Sequence, residues 1–455
     1  MSQGQTMSGM QTLEMAFQFQ KAGRLEEAIA LYRRGLAEAP ESVEGHFNLG
    51  LCLHLARKLD EAIEQYQAAL ARKGDYADAH NNLAAAYRSK GRMEEAIEQF
   101  RMALACRPES AEMHSNLGYT LHEAGKFDEA LTECRRALEI NPNYVEAHVN
   151  MALTLLLLGD FEHGLRHYEA RLAPHFRLAR EMPVPRWDGG DLRGKTILLD
   201  HEQGFGDTIM FVRYATVLAR RGARVLVGCQ TELSRLMRSV EGVAALVTEK
   251  DFVPPCDVHC PMASLPFMCG TRVETVPAWR KYMSVDAPLV EEWGRRLGRG
   301  DGKLKVGLAW SGGTAFVSNH VRSPFLSALA PLAAATGVRF YSLQKGEAAR
   351  EARNPPAGME LVDWTGELND FADTGALMSN LDLIITSDTS VAHLAGALGR
   401  ETWVLLCHVP DWRWLLGRED NPWYPTMRLF RQPKLGDWGR VVERVAGELR
   451  PRMGA

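Results

Sequence analysis

Hydrophobic and polar positions repeat along the first third of the chain with a period of 34 residues. A block Gly-Arg-Leu-Glu-Glu-Ala over 23–28 returns as Gly-Arg-Met-Glu-Glu-Ala over 91–96, and related blocks end at Ala62, Ala130 and Gly164. Four positions after each block end stands an aromatic residue or a cysteine: Tyr32, Tyr66, Phe100, Cys134 and Tyr168. Apolar residues at helical spacing, with Pro or Gly between units, predict paired helices. The pattern therefore predicts five all-helical units over residues 8–172.

This unit resembles the tetratricopeptide repeat family, which stacks pairs of antiparallel helices. The resemblance implies a right-handed superhelix with a concave groove lined by the first helix of each pair. Such grooves usually bind a partner, so the repeats are expected to hold a protein or a peptide.

A column of asparagines follows the same period. We call Asn48, Asn82, Asn116 and Asn150 the asparagine column. Amide side chains both donate and accept, so a row of them along a groove suits an extended peptide backbone. Transferases that attach N-acetylglucosamine to protein hydroxyls have a comparable ladder, and the resemblance implies acceptor-peptide binding. The alternative is that these amides bond between adjacent repeats.

Histidines recur two residues before each of those asparagines. His46, His80, His114 and His148 form this histidine column. We expect it to be structural, packed between helices.

The pattern changes after a segment rich in Pro and Gly over 173–194, which we interpret as a linker. Short continuous apolar runs then alternate with helical stretches, at 197–199, 225–227, 306–309, 340–343, 383–385 and 403–406. Such runs are typical of strands buried on both faces of a parallel sheet. We predict two Rossmann-like lobes, over 195–300 and 301–440, followed by a C-terminal helix or tail over 441–455. Two facing lobes would form a cleft at the carboxyl ends of their strands.

Two predicted strand-to-helix turns carry candidate chemistry. In the first, Gly204 and Gly206 let the backbone approach a ligand, and Asp207 opens a helix. In the second, Thr389 and Ser390 leave the first amides of a helix open to an anion such as a diphosphate, with His393 one turn further on. Helix capping by Asp207 and Thr389, and a core position for His393, are the alternatives.

Residues 195–435 resemble the heptosyltransferase-like glycosyltransferases of the two-lobed B fold. The motifs that carry the likeness are the two turns together with Ser311-Gly312, Arg322 and Lys345. The resemblance implies that Asp207 is the general base and that Gly204, Gly206, Ser311, Gly312, Arg322, Lys345, Thr389, Ser390 and His393 hold the donor and its diphosphate. A single displacement would invert the anomeric configuration, and it requires no metal if the helix amides and Arg322 stabilise the leaving diphosphate. We expect no cofactor beyond the nucleotide sugar. Ser390 stands where these enzymes usually have Gly.

The charge and composition of the chain limit which classes of partner and which cellular location are expected. Residues 1–170 hold 17 lysines and arginines against 25 aspartates and glutamates. This acidic balance argues against a nucleic-acid partner. No long apolar run or leader pattern stands out, so we expect a cytoplasmic protein with no membrane span, whose eight cysteines stay reduced. The run from Cys256 to Cys260 matches no common zinc motif. The segment from Asp411 to Tyr424 is rich in Trp residues, which could stack on a sugar or a nucleotide base or pack in the hydrophobic core.

Two functions remain at this point. In the first, the chain is a glycosyltransferase that moves a sugar from a nucleotide-diphosphate donor to a Ser or Thr hydroxyl held by the repeats. In the second, the transferase region is a relic and the chain is a scaffold that assembles partners.

Overall fold

The computed structural model describes residues 8–174, 182–248, 251–298, 302–312 and 322–450. It divides into two compact units, Met1–Thr154 and Leu155–Ala455. The division falls before the segment over 173–194 that the sequence suggested as a linker. The reason is that the second helix of the fifth repeat packs with the second unit, as described below.

The first unit is a series of antiparallel helix pairs, which confirms the predicted tetratricopeptide repeats. The helices are α1 (Gly9–Lys21), α2 (Leu25–Glu38), α3 (Val43–Leu55), α4 (Leu59–Arg72), α5 (Ala77–Ser89), α6 (Met93–Cys106), α7 (Ala111–Glu123), α8 (Phe127–Ile140) and α9 (Val145–Leu157), the last crossing the division. The alanines that end the repeated blocks are fully buried, as are Tyr32, Tyr66, Phe100 and Cys134. The repeating positions are therefore those where the helices pack together.

The turn inside each pair needs a left-handed backbone. Gly23, Gly91, Gly125 and Gly159 have φ values of 73°, 74°, 76° and 90°. Glycine adopts this conformation without the steric cost of a Cβ atom. The equivalent residue of the second pair is Arg57, which takes a φ of 62°. This turn therefore holds an L-residue in a region that costs about 1–2 kcal/mol.

The histidine column is structural, as expected. Nε2 of His46 donates to the carbonyl oxygen of Pro40 at 3.0 Å, and His80, His114 and His148 make the same bond to the residue six positions earlier. Nδ1 of the first three lies within 2.8 Å of a Gln or Glu oxygen on the next helix. His46, His80 and His114 therefore each connect the boundary between two repeats to the helix that follows.

The second unit contains two parallel sheets. The first has the order β3-β2-β1-β4, with β1 (Thr196–Asp200), β2 (Arg224–Gly228), β3 (Val243–Val247) and β4 (Val258–Pro261). The helices in this part of the chain are α10 (Phe161–Tyr168), α11 (Phe205–Phe211), α12 (Arg213–Arg220), α13 (Ser234–Met237), α14 (Leu265–Met268) and α15 (Ala287–Leu297). The strand order changes direction between β1 and β4, where ligands of such folds bind.

The second sheet is also parallel throughout. Its order is β10-β9-β8-β5-β6-β7, with β5 (Leu304–Ala309), β6 (Val338–Ser342), β7 (Leu361–Val362), β8 (Leu383–Ser387), β9 (Thr402–Leu406) and β10 (Met427–Arg431). Helices α16 (Phe371–Ser379), α17 (Ser390–Ala397) and α18 (Trp438–Leu449) accompany it. Read from β7, the strands follow the doubly wound order, and the direction changes between β5 and β8.

The predicted parallel α/β architecture is thus confirmed, and every apolar run named from the sequence lies wholly or largely in a strand. The predicted C-terminal helix is α18, and residues 451–455 lie outside the described residues. All eight cysteines lie in described parts of the chain and are free thiols. Among the helices that the structure describes, none has both the length and the apolar character needed to cross a lipid bilayer.

Candidate functional site

The first candidate turn connects β1 to α11 at the direction change of the first sheet. Asp207 lies in the first turn of α11, where one of its carboxylate oxygens, Oδ2, accepts from the amide of Gly204 at 3.2 Å. The capping role considered from the sequence is therefore present. A carboxylate oxygen has a second lone pair, so this bond leaves Oδ2 able to accept another proton donor.

The second candidate turn connects β8 to α17 at the direction change of the second sheet. Oγ1 of Thr389 accepts from the amide of Val391 at 3.2 Å, so Thr389 caps α17 and Ser390 is its first residue. Just before them, Asp388 accepts from Nη2 of Arg322 at 2.6 Å. Arg322 therefore lies beside the predicted phosphate turn, and its charge is balanced by a carboxylate of that turn.

The two turns meet. A Cβ atom placed on Gly206 would lie 2.7 Å from Cδ2 of His393, a contact that real Cβ atoms do not make. Glycine is therefore required where α11 approaches α17. Nδ1 of His393 bonds to the Tyr424 hydroxyl at 2.9 Å, and burial lowers the pKa of His393 to about 3. The imidazole is consequently neutral and packed, and it forms the contact between the two turns.

An arginine that the sequence analysis did not single out joins the two halves of the site. Arg413 lies in the short 3-10 turn Trp412–Trp414 and is 7% exposed. Its Nη2 donates to Oδ1 of Asp207 at 2.5 Å, and its Nη1 donates to Oδ1 of Asp411 at 2.9 Å. The guanidinium therefore connects the first-sheet turn to the loop that follows β9.

Burial and charge act in opposite directions on Asp207. Burial raises the pKa of the Asp207 carboxyl above its usual value, and the Arg413 charge opposes that rise. Asp411 and Asp388 add to the rise because like charges disfavour ionisation. For Arg322, the neighbouring carboxylate of Asp388 raises the pKa above its usual range. Two cations and three carboxylates thus share this part of the second unit.

The remaining predicted donor-binding residues divide into two groups. Ser311 and Gly312 follow β5, next to the turn after β8. Oε1 of the buried Gln344 accepts from the amide of Ser311 at 2.8 Å, and the amide of Gly312 donates to Oγ of Ser323 at 3.2 Å. Lys345 follows β6, and its ammonium donates to the carbonyl oxygens of Thr365 at 2.7 Å and Leu368 at 2.9 Å. The structure therefore brings Ser311 and Gly312 beside the second turn and commits the Lys345 ammonium to backbone carbonyls.

The asparagine column lies in the first unit, on half-buried positions of α3, α5, α7 and α9. Nδ2 of Asn116 donates to Oδ1 of Asn81 at 3.1 Å, and Nδ2 of Asn150 donates to the Ser115 carbonyl oxygen at 3.2 Å. Both bonds cross to the preceding repeat. Asn82 instead donates within its own helix, to the carbonyl oxygen of Asp78 at 2.8 Å. Bonding between repeats, the alternative named above, is thus present for Asn116 and Asn150.

The cysteine-rich run does not form a metal cluster. Nδ1 of His259 lies 2.8 Å from Oδ2 of Asp200, which makes a pair between β4 and β1. Within the parts of the chain that the structure describes, there is no group of three or more His, Cys, Asp or Glu side chains placed to hold a metal ion.

The candidate-site residue that the sequence analysis did not single out, Arg413, comes from the loop after β9. The segment from Asp411 to Tyr424 was recognised only for its tryptophans. Its tryptophans are core residues, with Trp412, Trp414 and Trp423 at most 2% exposed. The only available signal for Arg413 was its place soon after a buried strand, where side chains meet at the carboxyl edge of a parallel sheet.

Known proteins resemble this chain most clearly in the repeats. Residues 15–77 and 56–111 match a model described as tetratricopeptide repeat, and residues 118–159 match one described as TPR repeat. Protein FlbA of Caulobacter vibrioides is 28% identical over 313 residues, which covers 63% of this chain and 52% of FlbA. The chain thus matches about half the length of this curated relative.

Two solved structures match about a third of the chain. YrrB, a TPR protein with an unusual peptide-binding site, is 19% identical, with 37% of this chain and 88% of YrrB covered and a TM-score of 0.33. MamA from Desulfovibrio magneticus is 14% identical, with 35% of this chain and 90% of that chain covered and a TM-score of 0.34.

Proposed function

We propose that the second unit is a glycosyltransferase that moves a sugar from a nucleotide-diphosphate donor to a hydroxyl group. The observation that carries this proposal is the meeting of two strand-to-helix turns, each at the direction change of a parallel sheet. Gly206 contacts His393 across that junction, and Asp207 meets Arg413 there. The Asp207 carboxylate is suited to a base, and the Arg322 guanidinium, paired with Asp388 just before the start of α17, is suited to an anionic leaving group. The two-lobed glycosyltransferase fold is part of this proposal.

In this mechanism Asp207 accepts the proton of the attacking hydroxyl. The new bond forms between the acceptor oxygen and the anomeric carbon while the bond from that carbon to the donor diphosphate breaks. The electron pair leaves with the diphosphate, which the first amides of α17 and Arg322 would stabilise. A single displacement inverts the anomeric configuration. A carboxyl whose pKa is raised by burial is closer to neutral pH, where a general base works best.

The proposed acceptor is a Ser or Thr side chain of a protein held by the asparagine column. Nδ2 of Asn116 donates to Asn81 of the preceding repeat, and Nδ2 of Asn150 donates there to both the carbonyl oxygen and Oγ of Ser115. Each amide oxygen has two lone pairs, so the N–H groups of a peptide backbone can still find acceptors in this column. We place the reaction in the cytoplasm, where free thiols such as the eight of this chain persist.

The first test is binding of the leaving group. UDP, GDP, ADP, CDP, dTDP and CMP are added separately to the full chain, and the melting temperature is followed. A ligand that binds only the folded protein must raise the melting temperature. At one hundred times its Kd it adds about 2.7 kcal/mol to the free energy of unfolding. Products formed with the matching sugar nucleotides are then identified by mass spectrometry, with wild type and Asp207→Asn compared. We expect the variant to bind the nucleotide and to transfer no sugar.

The second candidate is a scaffold whose transferase region has lost its activity. The confirmed repeats favour it, because tetratricopeptide grooves serve as binding surfaces without chemistry. Absence of a melting shift with every nucleotide, together with no transferred sugar, would favour the scaffold. Equal transfer by wild type and Asp207→Asn would instead reject Asp207 as the base.

A further inference from the structure

Arg413 is built into the site more firmly than its place in an irregular loop suggests. Its Nη1 bonds Asp411 and its Nη2 bonds Asp207, while its Cζ lies 4.6 Å from the ring centre of Trp412 and 5.4 Å from that of Phe211. Its Nε is buried and has no partner among the described residues. A cation buried to this degree must be paired, so the two carboxylates define where the guanidinium lies.

The loop that carries Arg413 is clamped in an unusual conformation. The buried Leu415 has φ 51° and ψ −176°, a backbone region that L-residues rarely occupy. Arg431 donates to the carbonyl oxygens of Trp414 and Leu415, and Nδ2 of Asn421 donates to that of Arg413 at 3.0 Å. Strain of about 1–3 kcal/mol persists only where surrounding contacts impose it. These contacts therefore hold the Arg413 backbone at one fixed place.

We propose that Arg413 is the positioning residue for Asp207: it keeps that carboxylate ionised and fixes its direction while Oδ2 accepts the acceptor proton. This proposal rests on the proposed transfer reaction. Arg413 does not touch the sugar or the phosphate in this scheme. It acts only through the base.

The groups that face Asp207 come from several elements. Arg413 and Asp411 lie on the loop after β9, Asp388 on the turn before α17, and the Gly204 amide on the first turn. Tyr168, at the end of α10, also lies close enough to feel the charges of Asp207 and Arg413. Within this set Arg413 and the Gly204 amide favour the ionised carboxylate, and Asp411 and Asp388 disfavour it. Loss of Arg413 removes the stronger of the two favourable partners.

The test measures transfer by the full chain against pH, with the sugar nucleotide that the product assay identifies. Arg413→Gln is expected to move the acidic limb of the kcat profile to higher pH by about one unit or more, which lowers kcat on that limb about tenfold per unit. The donor KM is expected to change less than about threefold, because Arg413 acts through the base rather than on the donor. Arg413→Lys should fall between wild type and Arg413→Gln.

A second variant predicts a shift of opposite sign. Asp411→Asn removes a carboxylate that opposes ionisation of Asp207, so the acidic limb should move to lower pH. The matched control is Arg440→Gln on α18, whose side chain is 73% exposed and pairs with Asp437. Its pH profile should superimpose on that of wild type.

A direct titration separates this proposal from the proposed function. Asp207 is followed by carbon-13 NMR of the full chain with labelled Asp carboxyl groups, and its signal is assigned by its loss in Asp207→Asn. Arg413→Gln should raise the measured pKa of Asp207, and Arg413→Lys should raise it less. An unchanged Asp207 titration in Arg413→Gln would overturn the proposal whether or not transfer occurs. If no donor supports transfer while the titration shifts as expected, the transferase function fails and the control of Asp207 by Arg413 stands.

Discussion

The buried pair of Arg171 and Glu202 should be a major source of stability in the second unit. Both side chains are 2% exposed, and two bonds of 2.8 and 3.0 Å join the guanidinium to the carboxylate. Arg171 also donates to Ser264, to Glu169 and to the Tyr168 carbonyl, so its five N–H groups are all used. Arg171→Met would leave Glu202 buried without a cation. Breaking such a pair by removing one partner costs about 3–5 kcal/mol.

Protonation of Glu202 limits this loss, because a neutral carboxyl avoids the cost of a buried unpaired charge. At pH 7, for an unfolded-state pKa near 4.3, protonating the carboxyl costs about 3.7 kcal/mol. At pH 5 the same protonation costs about 1 kcal/mol. Burial already raises the pKa of Glu202 in the intact protein, with Arg171 opposing the rise. In the variant, whose folded pKa is raised further, the deficit should therefore shrink as the pH falls from 7 to 5, by at most roughly 2.7 kcal/mol.

Urea unfolding of the full chain measures this effect, followed by tryptophan fluorescence at pH 7 and at pH 5. Glu202→Gln and the double variant Arg171→Met with Glu202→Gln complete a double-mutant cycle. We expect the double variant to be more stable at pH 7 than the sum of the two single losses predicts. A loss below about 1 kcal/mol for Arg171→Met, an additive cycle, or a deficit that does not depend on pH would refute the reasoning.

Three further predictions concern single substitutions. Gly206→Ala should lower the stability of the second unit by about 1–3 kcal/mol in the same urea assay, because its Cβ would lie 2.7 Å from His393. The control Gly447→Ala, where α18 leaves open space, should raise the stability by up to about 1 kcal/mol. Arg57 and Gly91 both have a left-handed backbone, so Arg57→Gly should stabilise the repeats by about 1 kcal/mol and Gly91→Ala should destabilise them by about 1–2 kcal/mol. If both substitutions changed the stability in the same direction, this reasoning would be wrong. Because the pKa of His393 is lowered to about 3, wild type should lose about 1.4 kcal/mol per pH unit as pH falls below about 6.5, and His393→Asn should lack that part of the loss.

The sequence predicts strands well where both faces are buried and poorly elsewhere. Continuous apolar runs such as Leu383-Ile384-Ile385 mark central strands because every side chain is covered. The strand β10, Met427–Arg431, carries two arginines and shows no such run. The strand β7 is only two residues long and lies at the sheet edge. Edge strands are defined by their neighbours, which a local pattern does not contain.

The same limit applies to the candidate site. The turns around Gly206 and Thr389 were visible because glycine and small polar residues have local conformational roles at strand-to-helix turns. The bond between Asp207 and Arg413 joins residues 206 positions apart. No spacing rule relates them, and they meet in a structure in which α11 packs against α17. Lys345 shows the converse, because a cation after a strand suits phosphate by type and yet donates to two carbonyls.

Helix α10 continues the 34-residue repeat in sequence but packs within the second unit. Gly159 and the helix from Phe161 to Tyr168 keep the spacing of the earlier repeats. The Phe161 ring stacks on Trp423 and meets Trp412 edge-on, with ring centres 6.0 and 5.8 Å apart, so the core of the second unit covers it. A repeat helix is stable only when a neighbour buries its apolar face. For α10 that neighbour includes the loop that carries Arg413, and the last helix of the repeat pattern is therefore a structural part of the candidate site.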